Sequence, residues 1–320
     1  MKKKGNKALK ILISLILVFS LVLTFAGNFV FSFALLRKSV FSRDSISALL
    51  SGKKSDTAVY SGAEEVKKTW LELNSQGVYM NSDGGLSLHG LFVKNKNDSH
   101  RYAIVCHGYS SKAVHMSYFA KMLYDRGFSV LAPDARAHGE SDGNVRGMGY
   151  LEKRDIISWI HHIEQTDPLS EILLYGISMG GATVLFTSGE GDLSSSVKAI
   201  ISDCAYTDVY SEIANTVKGI VPLPAFPLVD SASLVCKIRG GYAFKEASVL
   251  EAVKKSKTPT LFIHGSADTF VPFSMLEELY SSASCEKDIL VIEGATHARS
   301  ATHNPEVYWG KVEEFVERYF

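Results

Sequence analysis

Six short apolar runs recur along this chain, and each stops at a glycine or an aspartate. They are YAIVCHG (102–108), FSVLAPD (128–134), EILLYG (171–176), VKAIISD (197–203), TLFIHG (260–265) and DILVIEG (288–294). Runs this short and this apolar suit strands buried on both faces of a parallel sheet. A further run, LSLHGLFV (86–93), alternates apolar and polar residues like a half-exposed strand. Helical stretches lie between them. MSYFAKMLYDRG (116–127) ends on a capping glycine, and YLEKRDIISWIHHIEQ (150–165) lines up Leu151, Ile156, Trp159, Ile160 and Ile163 on one stripe. SMLEELYSSA (274–283) and PEVYWGKVEEFVERYF (305–320) complete the set. The alternation predicts βαβ units, hence an α/β fold with a mostly parallel twisted sheet and helices on both faces. Ligands of such sheets gather at the carboxyl ends of the strands.

The N-terminus has a different character. Residues 2–10 carry five lysines, and no charged residue follows from Ile11 to Leu36. An apolar run of that length is enough to cross a bilayer, which takes about 20 helical residues. It exceeds the roughly 7–15 residues of a signal-peptide core, which favours an uncleaved anchor, with a signal peptide cut near Thr24-Phe25-Ala26 as the alternative. The expected organisation is a basic cytoplasmic tail (1–10), a transmembrane anchor (11–36), a stalk and domain entry (37–74) and one large α/β domain (75–320). An amphipathic helix is expected at Ala63–Leu73. The dense lysine cluster predicts the tail inside and the domain outside the cytoplasm, or secreted if the segment is removed.

Lysine and arginine balance aspartate and glutamate at 34 each, so nothing points to a nucleic-acid partner. The four cysteines (Cys106, Cys204, Cys236, Cys285) form no C-x-x-C pair, which argues against a metal site. Cys106 and Cys204 read as buried free thiols. One segment breaks the βα rhythm: residues 205–245 insert a stretch containing VPLPAFPLVD, with Pro222, Pro224 and Pro227 among apolar residues. A long insertion at strand ends suits a lid or pocket wall.

The chemistry centres on Gly176-Ile177-Ser178-Met179-Gly180-Gly181, between a buried strand and the helical GATVLFTS. That context turns a G-x-S-x-G match into a nucleophile elbow, in which glycines admit a turn too tight for side chains. A serine hydroxyl needs a base and a group to orient that base. Among ten histidines, His297 in EGATHARS follows the last strand and is the expected base, with His303 as competitor. Asp268, in HGSADTFVP, lies between serine and histidine in the order Ser…Asp…His and is the expected acid, with Asp203 as alternative. The expected oxyanion donors are the backbone N–H groups of Met179 and of Tyr109 in CHGYSS. Asp134, Arg136, His138 and Ser141 are expected to knit a supporting loop, and His264 to be a structural partner.

HGYSS, DARAHGES, GISMGG, HGSADTFVP and GATHA, in this order, resemble the motifs of serine hydrolases of the α/β-hydrolase superfamily. The resemblance covers about residues 75–320. It is closest to membrane-anchored bacterial esterase-like hydrolases whose core is similar to that of dienelactone hydrolases and prolyl-oligopeptidase catalytic domains. Thr296 and Ala137 stand where relatives often have glycine. The resemblance implies the α/β-hydrolase fold, Ser178 as nucleophile, Asp268 and His297 as its partners, and no metal or organic cofactor. It implies a carboxylesterase acting on a small-molecule or lipid-like ester. A peptidase or amidase and a lipase share the same triad, and a catalytically silent binding protein on this fold is the alternative of another class.

Overall fold

A computed structural model of the chain describes residues 2–37, 70–97, 99–220 and 224–320. All six buried runs and LSLHGLFV form strands. The strands are β1 (Gln76–Asn81), β2 (Ser87–Val93), β3 (Arg101–Cys106), β4 (Ser129–Pro133), β5 (Glu171–Ile177), β6 (Val197–Asp203), β7 (Thr260–Gly265) and β8 (Lys287–Ile292). They make one sheet in the order β1-β2-β4-β3-β5-β6-β7-β8. β1 pairs antiparallel with β2, and β2 with β4; every later pair is parallel.

The period of two along each strand splits the core in two. Ile104, Leu174, Ile200 and Phe262 point to one face, where they meet α3 (Glu152–Thr166) and α4 (Met179–Ser188). Val105, Tyr175, Ile201 and Ile263 point to the other, against α2 (Ser117–Tyr124) and the C-terminal helix Pro305–Val316. The sheet's last strand departs from expectation. β8 is an edge strand with Ile289 and Val291 partly exposed, because only β7 pairs with it. β1 was not expected: it has no continuous apolar run and is largely exposed.

Among the described residues, 205–245 holds the α-helices α5 (Val209–Ile220) and α6 (Ala225–Gly240). They leave from the carboxyl end of β6 and precede α7 (Val249–Val253). Helix α1 (Lys2–Leu35) contains the 27-residue apolar span Leu9–Leu35. Its first half is exposed, while Val30, Phe31 and Leu35 are buried in the same core as α3 and α4. Beyond it, Leu36 bridges Val145, and the Arg37 guanidinium donates to the carbonyls of Gly139 and Ser141. Of the helix expected at Ala63–Leu73, only Trp70–Leu73 lie within the described residues, and they are helical.

Candidate active site

β5 ends at Ile177, and α4 begins two residues later at Met179. The turn between them is made by Ser178 alone, at φ +56° and ψ −118°, a conformation L-residues rarely adopt. The flanking glycines are sterically required. A Cβ on Gly176 would lie 2.1 Å from the Gly180 carbonyl oxygen, and one on Gly180 would lie 2.1 Å from the Cys106 carbonyl oxygen. No side chain fits either gap. The Ser178 N–H donates to the Asp203 carbonyl at 2.8 Å, which ties the turn to β6.

The three expected side chains meet. His297 Nε2 lies 2.9 Å from Ser178 Oγ, and His297 Nδ1 lies 2.7 Å from Asp268 Oδ2. Asp268 is buried and accepts on both oxygens. Oδ1 takes the N–H groups of Phe270 (2.9 Å) and Val271 (3.0 Å), and Oδ2 faces His297 and, at 3.2 Å, His264 Nε2. Burial alone would raise this carboxyl's pKa. The hydrogen bonds from His264 and His297 outweigh it and hold the group well below the ordinary carboxylate range. An ionised Asp268 accepts the Nδ1–H, so Nε2 is left to accept the Ser178 hydroxyl proton. Phe270 covers one side of the imidazole, with ring centroids 4.8 Å apart.

The competitors lie elsewhere. His303 is exposed. Asp203 is buried, accepts from Tyr308 Oη at 3.1 Å and faces Ser300 Oγ at 3.4 Å. Its burial raises its pKa to about 6. His264 is indeed a partner, but its hold on Asp268 went unread; the i,i+4 spacing in HGSAD was the available signal.

The β3 loop closes the site from the other side. A Cβ on Gly108 would lie 3.5 Å from Ser178 Cβ and 4.0 Å from its Oγ, so this backbone passes directly beside the hydroxyl. His107 Nε2 accepts the Ala135 N–H at 3.0 Å, which leaves Nδ1–H to donate to the Gly108 carbonyl at 2.8 Å. The Tyr109 phenol donates to the Ala34 carbonyl of α1 and accepts from Arg146 Nη1 at 2.9 Å. This link from α1 to the loop beside Ser178 had no signal in the sequence. The β4 loop is knitted as expected. Asp134 accepts from Ala113 N, Glu140 N and His89 Nδ1, Ser141 Oγ donates to the Asp134 carbonyl, Arg136 pairs with Asp155, and the His138 ring faces the Arg136 carbonyl.

Cys204, Asp268 and His297 offer donor atoms within 4.8 Å of one another. Burial pushes the Cys204 thiol well above its ordinary pKa, and the other two groups engage each other, so this cluster does not present a metal's donor set. All four cysteines are free and buried.

An eight-stranded, mostly parallel sheet, flanked by helices and carrying a serine on a strained strand-to-helix turn, defines the α/β-hydrolase superfamily. The chain belongs to that superfamily and is a hydrolase. A family model described as "Serine aminopeptidase, S33" matches residues 97–222. Among relatives, the uncharacterized protein YqkD of Bacillus subtilis is 29% identical over 254 residues, covering 79% of this chain and 83% of its own. An uncharacterized membrane protein of Saccharomyces cerevisiae is 25% identical, covering 72% of this chain and 75% of its own. Among solved structures, an esterase of Pyrococcus furiosus superposes with a TM-score of 0.65 at 25% identity, over 78% of this chain and 93% of that one.

Proposed function

We propose that this hydrolase is a serine carboxylesterase that works through an acyl-enzyme on Ser178. The observation that carries the reading is the unbroken chain of hydrogen bonds from Ser178 Oγ through His297 to Asp268. The esterase among the structural neighbours supports the choice of substrate bond. His297 Nε2 takes the hydroxyl proton as Oγ bonds to the ester carbonyl carbon. The backbone N–H groups of Met179, at the N-terminus of α4, and of Tyr109 stabilise the resulting oxyanion; one such donor is worth about 10²–10³ in rate. His297 then gives its proton to the departing alkoxide, and a water deprotonated by the same nitrogen cleaves the acyl-enzyme. The reaction requires neither a metal nor an organic cofactor. Residues 11–36 anchor the protein in a membrane behind a cytoplasmic tail at 1–10. The 75–320 domain lies outside the cytoplasm and 205–245 caps the site; of the stalk expected at 37–74, residues 38–69 lie outside the described residues.

Two assays test this reading. A fluorophosphonate is expected to label the intact protein, and Ser178→Ala is expected to abolish that label; equal labelling of both proteins would sink the proposal. The family-model description favours a second reading, peptide or amide cleavage. A panel of nitrophenyl esters beside aminoacyl anilides decides between them, because a preference for anilides would replace esterase by peptidase.

A further inference from the structure

Helix α6 of the insertion has an outer side that the hydrolase core does not use. Leu234 and Ile238 are 62% and 76% exposed on it, and Phe226, where the backbone departs from helical geometry just before them (φ −80°, ψ 135°), is 71% exposed, although each is large and apolar. Isolated exposed hydrophobes are ordinary, but these three share one short element that runs beside α1. Ser231 Oγ donates to the Leu23 carbonyl at 2.7 Å. Gly27 is packed so tightly that a Cβ there would lie 2.3 Å from the same hydroxyl. Arg239 binds Asn28 Oδ1 and stacks over the Phe31 ring at 4.8 Å.

At about 100° per residue, α6 divides into stripes. Ser231 and Arg239 form the stripe that meets α1. Val229, Ala232, Ser233 and Cys236 turn to the domain and are buried. Asp230 and Lys237 form a charged stripe tied to domain side chains, Asp230 to Tyr210 and Lys245, and Lys237 to Glu246. Leu234 and Ile238 fall between the charged stripe and the α1 stripe. The sequence carries no charged residue between Lys218 and Asp230, so the approach to α6 is as apolar as its outer side.

Lengths fix the depth. At 1.5 Å per residue, the 27-residue span Leu9–Leu35 is about 40 Å long, and a hydrocarbon core is about 30 Å thick. A core that starts at Leu9 therefore extends roughly 20 residues, to near Asn28, and any tilt carries it further along the helix. The α6 contacts at Leu23, Gly27 and Asn28 lie within or at the edge of that depth.

We infer that α6 is a second membrane element: it seats in the acyl–headgroup boundary of the leaflet nearest the domain, with Leu234 and Ile238 against lipid. The inference rests on the reading that α1 crosses the bilayer. The α6 side chains that face lipid are apolar, while its charges lead back to the protein, which is the division an interfacial helix needs.

Depth-dependent quenching tests it on the full chain in phosphatidylcholine–phosphatidylglycerol vesicles. Leu15→Cys, Leu234→Cys, Ile238→Cys and Leu169→Cys are each labelled with an environment-sensitive fluorophore; the native cysteines are buried. Unaltered thermal melts confirm that each variant folds. Nitroxide lipids carrying the label at shallow or deep acyl positions then report contact. The expected result is that labels at 15, 234 and 238 lose most of their fluorescence, while the label at Leu169, which is exposed on the far loop before β5, does not. Quenching at 15 with 234 and 238 behaving like 169 overturns the inference and leaves the anchor standing. No quenching at 15 removes the anchor, and the inference with it.

Discussion

The strand ends around Ser178 and the pairing of α1 with α6 are assembled by opposite means. At the strand ends, neighbours in space are dictated locally: two glycines that cannot carry a Cβ, one strained serine, and loops leaving adjacent parallel strands. Between α1 and α6, the partners are about 200 residues apart, and an apolar surface with a few polar bonds joins them. The first kind of assembly leaves motifs in a sequence. The second leaves only hydropathy, which reads the same whether the partner is lipid or protein.

The largest test of that contrast lies among the carboxylates. Asp268→Asn is expected to lower kcat/KM for a nitrophenyl ester by about 10⁴, because an amide no longer fixes the His297 tautomer or stabilises its cation. Asp203→Asn, one strand over and hydrogen-bonded to Tyr308 and Ser300, is expected to change it by less than about 10-fold, within what a small shift of supporting structure costs. Equal losses would mean that the strand-end geometry does not distinguish the two acids.

A smaller effect separates the halves of α1. Phe31 is fully buried and Phe25 is 76% exposed. Phe31→Ala is expected to cost about 3–5 kcal/mol of domain stability, read by urea unfolding in detergent, as core phenylalanine truncations do. Phe25→Ala should cost close to nothing in the same assay. If the two variants unfold alike, the end of α1 is not part of the core.

The smallest effect is a titration behind the strand ends. Burial raises the Glu152 carboxyl from 4.5 to about 7. Its Oε1 accepts from Gly147 N, while Oε2 has no hydrogen-bond partner among the described residues and the side chain lines a cavity of about 20 Å³ together with His107 and Asp134. The folded state binds this proton more tightly than the unfolded chain. The group's contribution is therefore complete below about pH 4.5 and is lost as pH rises to about 7, up to roughly 3 kcal/mol in all. Urea unfolding at pH 5 and pH 8 should show Glu152→Gln losing less stability across that range than the parent protein. A parallel decline in both would remove Glu152 as its source.

Legibility followed the same division. The six apolar runs are strands because each is apolar and sharply stopped, and the side chains of Ser178, Asp268 and His297 could be expected to meet because chain order follows strand order in this architecture. β1 was missed because QGVYMN buries little and needs no apolar run. The 205–245 insertion, expected as a lid or pocket wall, carried no expectation of helices α5 and α6, and Pro222 lies outside the described residues. Pro224 caps α6 and Pro227 lies in its first turn, where a missing N–H costs nothing. The tie between Tyr109 and Ala34 is a side chain reaching a carbonyl, which no residue pattern encodes.

The backbone of Ser178 has a consequence for how such a chain can be improved. A side chain at φ +56° costs on the order of 1–3 kcal/mol, and glycine would occupy the same turn without that penalty. Ser178→Gly is thus expected to gain stability while losing the hydroxyl that the proposed mechanism uses. Selection for thermal tolerance alone would drift toward it, and only a screen that also demands turnover would keep the hydroxyl where it is.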